Sequence, residues 1–184
     1  MASSYLRREI KKIRNSLNKK IVISKSSIIT KKLLRQPFFN YPSIFLYNSF
    51  SNEVSTRELF KVSRIKGKKI GFPKIEKGEI KPLEVGKEFK KGKFNIYEPN
   101  SDKEFVFENK TIIIIPLIIF DTNCNRIGFG KGYYDRFLSK VKGLKIGLGY
   151  DFQLRARFKK KFYDVRLDMI VTEKRIVRRI RCLK

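Results

Sequence analysis

The stretch "TIIIIPLIIF" at 111–120 constrains this chain more than any other. Its apolar part, the nine residues Ile112 to Phe120, is far short of the ~20 residues that cross a bilayer as a helix. A continuous, largely β-branched run suits a strand whose sheet is covered on both faces. Such strands occur in parallel or mostly parallel sheets, where the helical crossovers do the covering.

The flanking segments meet that demand. Leu6, Ile10, Ile13, Leu17 and Ile21 recur at helical spacing, predicting one amphipathic helix with Ser3 or Ser4 as N-cap. A second helix is predicted from about Ser26 to Gln36, stopped by Pro37. "SIFLY" (43–47) has the pattern of a short buried strand, "STRELFKV" (55–62) of a helix capped by Ser55 or Thr56, and "KKIGF" (68–72) of a second strand. Residues 73–110 are rich in charges and turn formers, with only short strands such as "FNIYEP" (94–99) expected. Beyond the apolar run lie the helix "YYDRFLSKV" (133–141) and two strands, "LKIGLGY" (144–150) and "LDMIVTE" (167–173). Strands alternate with helices, and no repeat or linker divides the chain. The expected fold is α/β: a single domain over 1–184 with a doubly wound, mostly parallel sheet and helices on both faces.

In open sheets of this kind, ligands bind beyond the carboxyl ends of the strands. That places weight on "NRIGFGKGYYDR" (125–136), directly after the apolar strand. Gly128, Gly130 and Gly132 leave their N–H groups unshielded and permit positive φ, so successive amides can curl around an anion. The following helix points its positive end at the same place. Arg126 and Lys131 add cations, and Asp135 is a carboxylate of the kind that holds Mg²⁺. The stretch fits neither G-x-G-x-x-G, which needs glycine where Tyr133 stands, nor a P-loop. Two readings stand from the residues alone: a phosphate cradle, or a tight strand-turn-helix connection.

Other candidates carry the same ambiguity. Lys11 and Arg14 either form a solvated helix face or point together at an anion. Glu53 in "SNEVST" is either a capping carboxylate or an acceptor for a polar ring system. Asp164 is either a turn residue or a second carboxylate sharing a cation with Asp135. Cys124 is a small loop residue, because the chain has no histidine to activate it.

Composition narrows the chemistry. Without histidine, catalysis must rest on carboxylates, Lys and Arg, tyrosines and backbone dipoles. Forty-four Lys and Arg against 17 Asp and Glu give a net charge of +27, which attracts polyanions. The basic residues are nevertheless dispersed, with only short clusters such as "KKK" at 159–161. Lys, Ile, Asn and Phe abound while Ala occurs twice, the profile of A/T-rich codons, so the charge does not by itself select a function. A basic RNA-binding module and a sugar-phosphate isomerase or transferase are the alternatives, the former without a recognition motif. Two cysteines, Cys124 and Cys182, make no disulfide framework, and the N-terminus has no apolar signal region. A soluble, cytoplasmic protein is expected.

The ordered blocks of the chain resemble the 5-formyltetrahydrofolate cyclo-ligase family, also called methenyltetrahydrofolate synthetases. The likeness runs through "KKIRNSL", "EVST", "GKKIGFPK", "FNIYEP", "PLIIFDTNCNRIGFGKGYYDRFL" and "KIGLGYDFQL…YDVRLDMIVTE". Leu117, Cys124 and Tyr163 depart from the family pattern without removing a proposed ligand. The resemblance implies conversion of 5-formyltetrahydrofolate and MgATP to 5,10-methenyltetrahydrofolate, ADP and phosphate, through an N5-iminium phosphate. It implies that Lys11, Arg14, Arg126, Ile127, Gly128, Phe129, Gly130, Lys131, Gly132, Tyr133 and Tyr134 bind ATP, with Arg126 and Lys131 catalytic. The folate would meet Arg14, Phe50, Glu53, Phe129, Gly130, Lys131, Gly132 and Tyr133, and Mg²⁺ would be held by Asp135 and Asp164. The implied partners are ATP and a reduced folate, with no membrane, nucleic-acid binding not favoured, and a monomer expected.

Overall fold

The computed structural model describes residues 2–86, 89–91, 97–99, 101–156, 158 and 164–180. The chain opens with α1 (Ala2–Asn15) and α2 (Lys19–Leu34), a 3-10 turn at Pro37–Asn40, β1 (Ser43–Phe45) and α3 (Arg57–Ile65). It continues with β2 (Lys69–Glu76), β3 (Glu79–Glu84), β4 (Phe89–Lys91) and β5 (Tyr97–Pro99). Then come β6 (Thr111–Pro116), β7 (Ile119–Phe120), β8 (Arg126–Ile127) and α4 (Tyr133–Leu138). β9 (Leu144–Leu148), β10 (Met169–Val171) and β11 (Ile176–Arg178) complete it.

The main sheet has seven strands in the order β11-β10-β9-β6-β1-β2-β3. Its five inner strands are parallel, and β11 and β3 close the two edges antiparallel. β6 occupies the middle, and its burial explains its sequence. Ile112 and Ile114 face a core with α2 and α3, whereas Ile113 and Ile115 face a core with α4. Side chains alternate across a strand, so only a strand covered on both faces calls for isoleucine at all four positions. The doubly wound α/β architecture expected from the sequence is the one found.

The chain leaves β1 to build β2 and β3 on one side, then returns to lay β6, β9 and β10 on the other. The order therefore reverses between β1 and β6, which leaves a crevice beyond their carboxyl ends.

Several local expectations are corrected. The first stripe is two helices rather than one: α1 stops at Asn15, and Asn18 restarts the chain by accepting the Ile21 N–H at 2.9 Å. Asparagine satisfies a free helical amide better as an N-cap than in a helix interior, so it breaks the stripe. Ser3 and Ser4 lie within the first turn of α1 rather than at the position before it, and α2 begins at Lys19, well before Ser26. Thr56 is the N-cap residue of α3, but its hydroxyl donates to the Tyr47 carbonyl at 2.7 Å, while Ser55 Oγ accepts the Arg57 N–H.

β2 runs on through Pro73 and turns at Lys77 and Gly78, both at positive φ, into β3. That is the two-residue hairpin geometry, unsignalled because lysine stands where asparagine or aspartate is usual. β11 was also not foreseen. "FNIYEP" falls partly outside the described residues, as do the "KKK" cluster, Tyr163 and Cys182. No helix among the described residues is long and apolar enough to cross a membrane.

Candidate active site

The crevice at the strand-order reversal is built by two loops and a helix. The first loop follows β1. Tyr47 donates its hydroxyl to the Val54 carbonyl at 2.8 Å, and Ser26 of α2 accepts the Ser55 N–H at 2.9 Å, so both ends of the loop are fixed. At its tip Ser51 and Asn52 adopt left-handed backbone. Asn52 Nδ2 donates to the carbonyls of Arg14, Asn15 and Leu17, at 3.2, 3.2 and 2.8 Å. Those carbonyls lie at and just beyond the C-terminal end of α1, where helical acceptors run short of partners, so one asparagine ties the loop to the helix.

That tie brings Arg14 against Glu53. The two residues are almost fully buried, at 1% and 5% exposure, with Nη1 and Oε1 3.7 Å apart. Glu53 Oε2 accepts the Phe50 N–H at 3.2 Å, but Oε1 has no hydrogen-bond partner, nor do Nε and Nη2 of Arg14. Burial pushes the Glu53 carboxyl up from 4.5 to about 7, against the pull of Arg14 and the Phe50 amide. Tyr47 and Tyr134 are also raised, by burial first and by the Glu53 charge second. A narrow crevice beside this pair is lined by Tyr47, Val54, Pro116, Leu117, Leu148 and Gln153. Buried polar atoms without partners are rare and costly, so a donor-acceptor set of this kind beside a crevice is suited to a polar ligand.

The second loop follows β6. Pro116 ends the strand, and β7 and β8 form a short antiparallel ribbon that packs on α1 through Ile10, Ile118 and Ile119. Gln153 fixes its base, donating to the carbonyls of Leu117 and Ile118 while accepting the Tyr150 N–H. The glycines come next. Gly130 and Gly132 have φ of +99° and +67°, and a Cβ on Gly130 would lie 3.1 Å from Nη1 of Arg7. Gly128 and Gly132 likewise leave room for the guanidiniums of Arg126 and Arg136. A methyl group at any of these positions would push a guanidinium away from the loop.

The expected positive end of the following helix contributes less than its sequence suggested, because α4 spans only six residues. Guanidiniums supply the charge instead.

Between Gly128 and Gly130, Phe129 projects 41% exposed. It stacks on Phe50 of the first loop, with ring centroids 5.6 Å apart and planes at 22°. Lys11 and Arg14 lie over its ring at 5.5 and 5.7 Å. Lys131 is exposed at the loop's far side, its ammonium 5.8 Å from the Tyr133 ring.

Behind the glycines, Arg126 is buried and donates through Nη2 to Asp135 Oδ1 at 2.9 Å. Asp135 Oδ1 also accepts the Val165 N–H at 3.3 Å, and Asp135 and Asp164 both act on the charge of Arg126. Burial lowers the affinity of Arg126 for its proton, with Asp135 opposing. Of the two aspartates singled out in the sequence, Asp135 is bonded to Arg126, and Asp164 directly precedes Val165, whose N–H Asp135 accepts. Among the described residues, no group of three or more carboxylates and cysteines is placed to hold a metal.

Each candidate residue thus lies on one of the two loops, on α1, on α4 or in the segment before β10. Sequence reasoning missed Arg7, Asn52 and Gln153. Arg7 had a signal, since it precedes Lys11 and Arg14 by four and seven residues and shares their helix face. Asn52 and the Gln153 amide N–H groups act on backbone carbonyls distant in sequence, which nothing local marks; only the Gln153 oxygen has a local partner, the Tyr150 N–H.

Residues 1–173 match the sequence model of the 5-formyltetrahydrofolate cyclo-ligase family. The chain is 29% identical to a probable 5-formyltetrahydrofolate cyclo-ligase of Schizosaccharomyces pombe, covering 87% of this chain and 89% of that one. It is 34% identical to the 5-formyltetrahydrofolate cyclo-ligase of Mycoplasma pneumoniae over 71% of this chain and 73% of that one. The solved structure of Aquifex aeolicus 5,10-methenyltetrahydrofolate synthetase superposes with a TM-score of 0.88 at 34% identity, covering 100% of this chain and 97% of that one.

Proposed function

The chain belongs to the 5-formyltetrahydrofolate cyclo-ligase family, and on that premise we propose that the crevice between β1 and β6 is where it carries out the family's reaction. The enzyme is an ATP-dependent ligase that closes 5-formyltetrahydrofolate to 5,10-methenyltetrahydrofolate, releasing ADP and phosphate. The observation that carries the placement is the buried Arg14–Glu53 pair, with partnerless polar atoms, beside a glycine loop ringed by guanidiniums.

In this scheme the formyl oxygen attacks the γ-phosphorus of ATP, breaking the bond to the β-bridging oxygen and forming an N5-iminium phosphate. The N10 amine then attacks the former formyl carbon and loses its proton to solvent, the ring closes, and the carbon–oxygen bond breaks to release phosphate. Phosphoryl transfer depends mainly on positioning and charge stabilisation, which suits a site without histidine. The amides of Gly128 to Gly132 hold phosphate oxygens, with Arg126 and Lys131 stabilising charge that develops on the transferred group. Lys11 and Arg14, over Phe129, supply further positive charge on the α1 side.

Glu53 faces the pterin. With its carboxyl raised to about 7, it offers both a donor and an acceptor near neutral pH, matching the alternating N–H and C=O groups of such a ring. Phe50 and Phe129 contribute an apolar wall beside it.

Asp135, bonded to the Val165 amide, and Asp164, the residue before Val165, are the hard oxygen donors that Mg²⁺ prefers, so the residues present fit the ion. Asp135 and Asp164 would hold it, where it would neutralise charge on the ATP phosphates.

The reading we propose is of a cytoplasmic monomer working on small anionic substrates. The +27 charge favours such substrates without requiring nucleic acid. The test is direct: purified protein is mixed with 5-formyltetrahydrofolate and MgATP, and the absorbance of the methenyl product is followed. Product that requires ATP is expected, and its absence over the neutral pH range would sink the assignment.

A further inference from the structure

Asp121, at the end of β7, is fully buried and belongs to none of the ligand-facing groups described above. Its carboxylate is nonetheless fully engaged. Oδ1 accepts the backbone N–H groups of Asn123 and Asn125, each at 2.9 Å, and Oδ2 accepts Asn125 Nδ2–H at 2.8 Å. Asn125 Oδ1 then accepts Arg166 Nε–H at 3.2 Å. Its amide therefore joins a group that only accepts to a group that only donates, and only one orientation of the amide satisfies both.

Arg166 lies in the segment that carries Asp164. That segment is docked on the glycine-loop side by three hydrogen bonds: Arg166 to Asn125, the Leu167 N–H to the Cys124 carbonyl at 3.0 Å, and the Val165 N–H to Asp135 Oδ1 at 3.3 Å. Asp135 Oδ1 in turn accepts from Arg126 at 2.9 Å, and Arg126 is the residue after Asn125. The chain of contacts closes into a ring through Asn125, Arg166, Val165, Asp135 and Arg126, and Asp121 is bonded to that ring at Asn125. Cys124, inside the turn, is held at φ of +61°. A non-glycine residue keeps that conformation only where its surroundings fix it.

We infer that Asp121 is a positioning residue that, through Asn125 and Arg166, holds Arg126, Asp135 and Asp164 together as the MgATP side of the site. This rests on the cyclo-ligase function proposed above. Asp121 touches neither nucleotide nor folate; it sets where the two carboxylates and the buried guanidinium stand. Supporting groups behind a metal or phosphate site commonly alter affinity by about 10–100-fold when changed.

The experiment is a reciprocal exchange. Asp121→Asn places an NH₂ group against Asn125 Nδ2, and turning either amide spoils a second bond. Asn125→Asp places two carboxylates face to face. The double variant Asp121→Asn/Asn125→Asp restores one donor and one acceptor across the pair and leaves an acceptor for Arg166. Each single variant is expected to raise KM for MgATP about 10–100-fold while KM for 5-formyltetrahydrofolate changes little, and the double variant is expected to recover most of that loss.

In ligand-free protein, exchange of the Val165 and Leu167 amides should accelerate in the single variants and slow again in the double. This readout stands even if wild-type protein makes no methenyl product, a result that would sink the proposed function alone. Single variants with wild-type KM for MgATP and wild-type amide exchange would overturn the inference. So would a double variant that fails to recover, including one that does not fold.

Discussion

Glu53 shows what burial does to one residue. Its carboxyl sits at about 7 in the folded protein against 4.5 for an exposed glutamate, because desolvation outweighs Arg14. The folded state therefore binds the proton more tightly than the unfolded chain does. The stabilising effect of the protonated form is complete below about 4.5 and is lost as pH rises through about 7. Glu53→Gln removes that dependence. Relative to wild type, the variant should gain about 3 kcal/mol between those limits, read from urea unfolding on either side of the interval. The inflection near 7 in the pH profile of kcat/KM for the folate should vanish with it. A constant difference between the two proteins would show that Glu53 ionises normally. The sequence offered Glu53 as a candidate but not its environment, since burial comes from Tyr47, Val54 and Arg14 closing around it.

At the scale of elements, glycine marks two different needs. Gly143, just before β9, has φ of +124°, and a Cβ there would stand 2.6 Å from the Thr111 carbonyl oxygen. Backbone cannot yield as a side chain can, so Gly143→Ala should cost about 3 kcal/mol in chemical unfolding and leave the KM values of the folded enzyme unchanged. Gly130 has φ of +99°, but its neighbour is the flexible end of Arg7. Gly130→Ala should cost about 1 kcal/mol in stability while raising KM for MgATP several-fold as Arg7 is displaced. Equal effects of the two substitutions on stability and KM would refute the distinction. The elements themselves were largely legible, because isoleucine at four successive positions has few alternatives to a doubly covered strand. Boundaries were less so. Leu17 and Ile21 continue the α1 stripe on paper, yet the Asn18 cap assigns them to a loop and to α2. The β2–β3 hairpin hid because its turn uses Lys77 where asparagine or aspartate would have announced it.

For the molecule as a whole, a net charge of +27 on 184 residues means self-repulsion that salt relieves. The melting temperature should rise by several degrees between about 20 and about 200 mM salt, while KM for both anionic substrates should increase over the same range. A flat or falling melting temperature would show that the charges are already balanced locally. Within this frame, the sequence by itself determined the α/β class, the strand buried on both faces and the glycine loop after it, because these follow from side-chain periodicity and backbone freedom within short windows. It also carried, in ordered blocks, the likeness to the cyclo-ligase family. Tertiary structure alone decided which residues meet: Arg14 with Glu53, Phe50 with Phe129, and Asp135 with the Val165 amide beside Asp164. Those meetings depend on the strand order, which carries the chain from β1 out to β3 before bringing β6 back beside β1. A contact between residues dozens of positions apart leaves no periodic trace in either segment, so only the folded chain could reveal it.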